Sequence, residues 1–135
     1  MLDKINALFK FSQYALDIYA KRQEIIASNI ANADTPGYQS KDINFKNEIN
    51  KRLRKNNITN NIQLKKTSPQ HISMYKQNTS SFTILPVVSN YLKKNGNTVD
   101  MNRERISFID NSLKYQAHII FINNQIKNIM HVLRG

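Results

Sequence analysis

The chain has 135 residues, a formal net charge of +11, a pI near 10.0 and a mean hydropathy of -0.55, with 40% of its residues hydrophobic. That length suits one domain, residues 1–135, whose single core is marginal for an elongated shape. No cysteine is present, which excludes a disulfide framework, a thiolate zinc site and a cysteine nucleophile.

The first residues, Met1 to Phe11, carry charges at Asp3, Lys4 and Lys10 and no unbroken apolar stretch, so a cleaved secretory signal is not expected. From Leu2 to Ile30 one series repeats in steps of three and four: Leu2, Ile5, Phe9, Ser12, Leu16, Tyr19, Gln23, Ile26, Ile30. Leu8, Phe11, Ala15, Ile18 and Ile25 widen this seam, and neither proline nor glycine interrupts it. The pattern predicts an N-terminal helix over 1–32, roughly 45 Å long. A stripe of that width needs more than one packing neighbour, from the same chain or from other subunits.

The spacing dissolves at Ala27-Ser28-Asn29-Ile30-Ala31-Asn32-Ala33-Asp34-Thr35-Pro36-Gly37-Tyr38. Pro36 has no amide hydrogen and pushes Thr35 out of the helical region, and Pro36-Gly37 suits the centre of a type II turn. Asn29, Asn32, Asp34 and Thr35 can bond the unpaired groups of the helix end or a neighbouring molecule. The string Ala-Asn-x-Ala-Asn-x-x-Thr-x-Gly-Tyr, here with Ser28 replacing the first alanine, resembles the signature of bacterial flagellar axial proteins of the rod and hook. The longer stretch from Arg22 to Tyr38 is most similar to the proximal rod proteins of that family.

Further on, Lys41-Asp42-Ile43-Asn44-Phe45 resembles the family's aspartate-x-x-phenylalanine, and Ile43, Phe45 and Ile49 suggest a short second helix running into the basic patch Lys51-Arg52-Leu53-Arg54-Lys55. That patch lacks interleaved aromatics and reads as a solvated face. Asn56 to Asn61 reads as loop. Leu64-Lys65-Lys66-Thr67-Ser68-Pro69-Gln70-His71-Ile72 resembles the family's leucine-lysine-x-threonine-x-proline-x-histidine-isoleucine segment, and Ser73 to Ser81 is polar. Phe82-Thr83-Ile84 alternates as a short strand, which Pro86 confines to an edge or ends.

Lys94-Asn95-Gly96-Asn97-Thr98-Val99-Asp100-Met101-Asn102-Arg103-Glu104 is another likeness, with Asn95 and Asn102 where the family usually carries aspartate. Asn95-Gly96 marks a tight turn, and Thr98 or Asp100 can cap the helix that follows. From Met101 to Leu133 a seam returns as Phe108, Ser112, Tyr115, Ile119, Ile122, Ile126, Ile129, Leu133, with a second row, Ile106, Ile109, Leu113, Ala117 and Ile120, expected beside it. Leu113-Lys114-Tyr115-Gln116-Ala117 resembles the family's leucine-arginine-tyrosine-glutamine-alanine. The expected fold is therefore mostly α. Long N- and C-terminal helices (1–32 and 101–133) pair as an antiparallel coiled coil, and the middle segment, 33–100, is irregular with short β and loop elements.

Chemistry is sparse. His71 sits beside a proline, His118 and His131 are too far apart on one helix to share a metal, and the carboxylates form no acid/base couple or calcium loop. Three glycines cannot make a phosphate loop, and the longest apolar run, Ile119 to Ile122, falls far short of a membrane span. No enzyme activity, cofactor, metal, nucleic acid or small-molecule substrate is expected. The resemblance implies a structural subunit of the flagellar basal body that self-assembles into the hollow, periplasm-spanning rod and transmits torque. It implies other rod proteins and the membrane-ring or adaptor proteins at the rod base as partners, and passage through the flagellar export apparatus. Asn29, Asn32, Thr35, Pro36, Gly37 and Tyr38 are the candidates for the joint to the next subunit, with Tyr115, Ile119, Ile122 and Ile126 along the last helix. The alternatives are a basic helical protein binding nucleic acid or an anionic membrane surface, which predicts steeply salt-dependent binding, and a helical chaperone or adaptor.

Overall fold

The computed structural model describes residues 2–57, 82–88 and 92–134. Two long helices run antiparallel: α1, Leu2–Ala31, and α3, Met101–Arg134. Their polarity follows from the contacts between them, since Asn29 meets Glu104 whereas Tyr19 meets Asn111 and His118. At 1.5 Å per residue they are about 45 and 51 Å long, so each can line the other. Residue Asp100 caps α3, its carboxylate accepting from the amides of Asn102 (3.0 Å) and Arg103 (3.4 Å).

Between them lie β1 (Lys41–Ile43), α2 (Phe45–Asn57) and β2 (Ile84–Pro86). The strands pair antiparallel, Lys41 opposite Pro86 and Ile43 opposite Ile84. The strand expected at Phe82–Ile84 thus lies two residues later. Phe82 is instead drawn into the core, its ring 5.9 Å from that of Tyr14. Pro86 ends the strand, where a missing amide costs no ladder bond. The short helix expected after the turn is α2, but Ile43 belongs to β1, because the Asn44 side chain accepts from the Asn47 amide (3.1 Å) and starts the helix there. Asn56 and Asn57 continue α2 and are not loop. The expectations for Ile58 to Asn61, for Leu64 to Ile72 with His71, and for Ser73 to Ser81 lie outside the described residues.

The width of the α1 stripe is explained by two neighbours within the chain. Ser12, Ala15, Tyr19 and Ile26 are buried along the side toward α3. Ile18 and Ile25 form a core with Ile43, packed by Tyr14, Phe45, Ile49 and Phe82 on the side of α2 and the hairpin. The ring of Tyr19 stacks on Phe45 at 4.6 Å and so joins the two layers. Full burial of three isoleucines contributes about 1.5–3 kcal/mol each.

Helix α3 is different. Its fully buried residues are Glu104 and Asn111, both polar. The second apolar row does not lie beside the seam but on the opposite side of the helix, because residues 106, 109, 113, 117 and 120 fall about half a turn from 104, 108, 111 and 115. Ile106, Ile109, Leu113 and Ile120 are accordingly 60–70% exposed. Among the described residues no helix is long and apolar enough to cross a membrane.

Candidate functional site

The signature stretch forms one half of a clasp, and the segment before α3 forms the other. After Ala31 the chain turns twice: Thr35 N–H bonds Asn32 O (3.1 Å), and Tyr38 N–H bonds Thr35 O (3.3 Å) across Pro36-Gly37. Gly37 has φ +71°, as the third residue of a type II turn requires. Gly96, φ +79°, closes the turn that starts at Lys93. These two turns lie back to back. Gly37 N–H donates to Asn95 O at 3.0 Å, and a methyl group on Gly96 would sit 3.6 Å from the Gly37 α-carbon.

The side chains of Asn97, Asn29, Thr98 and Lys93 lock the clasp. Asn97, fully buried, donates both amide hydrogens to the chain just after α1, to Asn32 O (2.9 Å) and Thr35 O (2.8 Å), and its oxygen accepts from Val99 N–H (2.7 Å). Asn29, 1% exposed, uses all four of its hydrogen-bonding positions inside the chain. It donates to Lys41 O (2.8 Å) and Glu104 Oε2 (3.1 Å) and accepts from Lys41 N–H (3.1 Å) and Tyr38 O–H (3.2 Å). Thr98 accepts from the Ser40 amide (2.9 Å), while its own amide bonds Tyr38 O (3.1 Å). Lys93 reaches Ala33 O at 2.8 Å, placing a cation at the C-terminal end of α1.

The aspartate-x-x-phenylalanine segment anchors to the same helix. Arg22 grips Asp42 with two parallel bonds of 2.8 and 2.9 Å, and this bond to Asp42 holds the guanidinium pKa above its ordinary value. Burial raises the Glu104 carboxyl above its usual range, against the Asn29 bond that favours its charged form. Burial would likewise lift Glu48, but bonds from Lys51 and from the Thr83 amide bring it below the ordinary value. Two residues of the basic patch on α2 are tied to the fold, Lys51 on Glu48 and Arg52 over the Tyr14 ring at 5.2 Å, while Leu53 and Arg54 are exposed.

Of the expected site residues, Asn29 is therefore interior, Asn32 and Tyr38 are half-buried, and Thr35, Pro36 and Gly37 are exposed at the tip of the turn. Tyr115, Ile119 and Ile126 remain 36–39% exposed and Ile122 is half-buried. A groove of about 440 Å³ opens beside Tyr115, lined also by Ala20, Gln23, Glu24, Ala27 and Ser112. The two sets of residues are not brought together. The first set lies at the clasp, and the second runs along α3 away from it. Among the described residues no three metal-ligating side chains meet. Such an arrangement holds chain segments in place and leaves the turn tip and part of α3 exposed.

Asn97 and Asn111 are missed by pattern reading. Asn111 donates to Tyr19 O (2.9 Å) and Gln23 Oε1 (2.6 Å) from a fully buried position. For Asn97 the available signal is its place directly after a turn glycine, where an amide side chain commonly bonds nearby backbone. For Asn111 there is none, since an asparagine within a helix ordinarily marks its wet face.

Comparison with known proteins matches residues 11–39, the body of α1 and the signature turn, to the family described as "Flagella basal body rod protein". Over its full length the chain is 55% identical to all of the flagellar basal body rod protein FlgB of Buchnera aphidicola subsp. Acyrthosiphon pisum. It is 46% identical to the FlgB of Salmonella typhimurium and 44% identical to that of Escherichia coli, in each case over 100% of this chain and 99% of the relative. The clasp, whose halves lie more than fifty residues apart in sequence, is thus part of a relationship that spans the whole chain, and the chain belongs to the FlgB family of flagellar basal body rod proteins.

Proposed function

We propose that this chain is a single-unit structural subunit of the flagellar basal body rod, working through packing and not through catalysis. The observation that carries this reading is the full-length relationship to FlgB proteins, whose name describes a basal body rod protein. Two features of the fold support it. The clasp bonds the turn tip, Thr35, Pro36 and Gly37, to the segment before α3 through Gly37 N–H on Asn95 O and Asn97 on Thr35 O. The helix pair leaves Tyr115, Ile119, Ile122 and Ile126 partly uncovered, with an open groove beside Tyr115.

In this reading Asn29, Asn32 and Tyr38 shape the joint from behind, and the exposed turn tip touches the next axial subunit. The partly open seam of α3 packs against a second neighbour. Head-to-tail contacts of this kind do not close and so build a tube, along which interlocked side chains pass torque. The membrane-ring or adaptor proteins at the rod base are the further partners, and the chain reaches them through the flagellar export apparatus.

The test is site-specific photo-crosslinking in motile cells, with a photoreactive residue replacing the exposed Thr35. Adducts with axial or rod-base proteins are expected. Adducts confined to nucleic acid, lipid or unrelated cytoplasmic proteins would overturn the assignment.

A further inference from the structure

The turn before α3 carries a reactive pair that the clasp holds apart. Asn95 is the one asparagine of the chain that is followed by glycine. An asparagine side chain loses its amide when the next backbone nitrogen attacks Cγ, and glycine leaves that nitrogen uncrowded because it has no Cβ. Asn95 is exposed to water, with Gly96 half-buried behind it. Asn111-Ser112, by contrast, lies within α3, where Asn111 is fully buried and the Ser112 amide belongs to the helix ladder.

Lys94 and Asn95 are the central residues of a β-turn closed by Gly96 N–H on Lys93 O (2.9 Å). Neither has a positive φ and no described peptide bond is cis, so the turn is type I, with ψ of Asn95 about 0°. That angle eclipses Gly96 N with the nitrogen of Asn95 and leaves it about 120° round the tetrahedral α-carbon from the side chain. Ring closure needs Gly96 N beside Cγ, so the Asn95–Gly96 peptide has to rotate. The peptide unit is rigid, and its carbonyl and amide swing together. Rotation therefore breaks two bonds at once, Gly96 N–H to Lys93 O and Gly37 N–H to Asn95 O (3.0 Å). The side chain is pinned as well. Its oxygen accepts from Asn97 N–H at 3.1 Å, and Lys93 N–H on Asn97 O (2.9 Å) closes the loop behind it.

We propose that Asn95 is a deamidation site guarded by the clasp, intact while Gly37 and Lys93 hold the Asn95–Gly96 peptide and converted once the clasp opens. In the open chain Gly96 N gives its proton to hydroxide and bonds Cγ. The side-chain nitrogen takes a proton from water and leaves as ammonia. Water then adds to one carbonyl of the five-membered succinimide and breaks that carbonyl's bond to Gly96 N. Cleavage at Cγ leaves aspartate. Cleavage at the backbone carbon leaves isoaspartate, with the chain rerouted through the side chain and one methylene longer. Nothing is oxidised or reduced, and water is the one co-reactant. The aspartate form keeps the backbone and an acceptor for the Asn97 amide, so it closes as before. The isoaspartate form does not close. Its added methylene displaces Gly96, which lies so near Gly37 that a methyl group on it would sit 3.6 Å from the Gly37 α-carbon. Time spent open is thereby recorded as a covalent change that refolding does not erase.

The test incubates the full chain at mildly alkaline pH, folded in buffer and unfolded in guanidinium chloride. Peptide mapping by mass spectrometry reads the mass gained as the amide becomes an acid, and chromatography separates aspartate from isoaspartate. Asn95 is expected to convert at least about tenfold faster in the unfolded chain than in the folded one, and ahead of every other asparagine. In buffer, Asn97→Ala removes the side-chain bonds to Asn32 O and Thr35 O and leaves the reacting pair untouched. Its rate should fall between the two. Should circular dichroism show that this variant has lost its helices, the milder Thr98→Val, which removes the acceptor of the Ser40 amide, replaces it. Refolded isoaspartate chains should exchange the amides of Gly37 and Tyr38 faster than unmodified ones. Equal rates in the folded and unfolded chain, no gain in the loosened variant, faster conversion at another asparagine, or unchanged exchange in the isoaspartate form would each overturn the proposal. The rod reading stands under any of these outcomes.

Discussion

The asparagines do the work that larger apolar residues do in most helical proteins. Asn97 makes three bonds to backbone groups. Asn32 O and Thr35 O keep their turn bonds when it is removed, but the Val99 amide loses its acceptor in a buried position, so the cost is that of three bonds and one orphaned amide. Asn97→Ala is expected to lower unfolding stability by about 2–3 kcal/mol. The exposed Asp34→Ala should stay within about 0.5 kcal/mol of the parent. Urea titration of the two variants checks both. Glu104 gives a second prediction, of opposite sign to the usual carboxylate. Its folded pKa lies above its ordinary value, so the folded state holds the proton more tightly than the unfolded chain does. Its stabilisation is therefore complete below the ordinary carboxylate range and is lost as pH rises through the raised value. Glu48 has a lowered folded pKa, so its contribution is present above the ordinary range and is lost as pH falls through that lowered value. Glu104→Gln keeps the acceptor for Asn29 and removes the buried charge. The variant should be more stable than the parent at neutral pH and no more stable in acid, as thermal midpoints across a pH series would show.

At the scale of elements, the two positive-φ glycines fix where the chain reverses. Nothing lies within 4 Å of a methyl group placed on Gly37, so Gly37→Ala meets only the backbone cost of the left-handed conformation. That cost is about 1–2 kcal/mol, and denaturant unfolding should show a loss of that size without a change in m-value. The turn was readable from Pro36-Gly37, and both long helices were readable from their unbroken periodicity, because each local choice there agrees with the fold. The hairpin was not. Lys41–Ile43 is three residues long, too short to alternate, and its partner lies forty residues on, so the pairing is decided by the core that Ile43 and Phe82 enter. The clasp was half legible. Asn29 and Tyr38 stood out as motif residues, but their partners Glu104 and Lys41 could be named only once the chain had brought them together. The orientation of α3 was misjudged for a related reason. Two apolar rows half a turn apart read as one broad stripe unless something shows which side is buried, and that side is marked by Glu104 and Asn111, residues a hydrophobic count ignores.

For the whole molecule, these local facts imply an uneven distribution of stability. Helix α1 is buried at intervals from Ser12 to Asn29, with α3 on one side and α2 and the hairpin on another. The clasp and the two polar contacts hold the first third of α3, through Asn111. Beyond Asn111 no described residue of α3 is fully buried, and Ile119, Ile126 and Leu133 remain exposed on the side that meets α1. A helix so placed has its backbone bonds but little packing to defend them, and a long helix without packing frays from its free end. In the isolated full chain, amides from Phe121 to Arg134 should therefore exchange with solvent at least about tenfold faster than those from Glu104 to Asn111. If neighbouring subunits cover the open seam, the same amides should become protected in purified basal bodies, whereas protection of the clasp should change little. Hydrogen exchange read by mass spectrometry in both states checks this. Equal protection along α3 in the free chain would mean that the two helices suffice for each other, and the open seam would then need no neighbour to cover it.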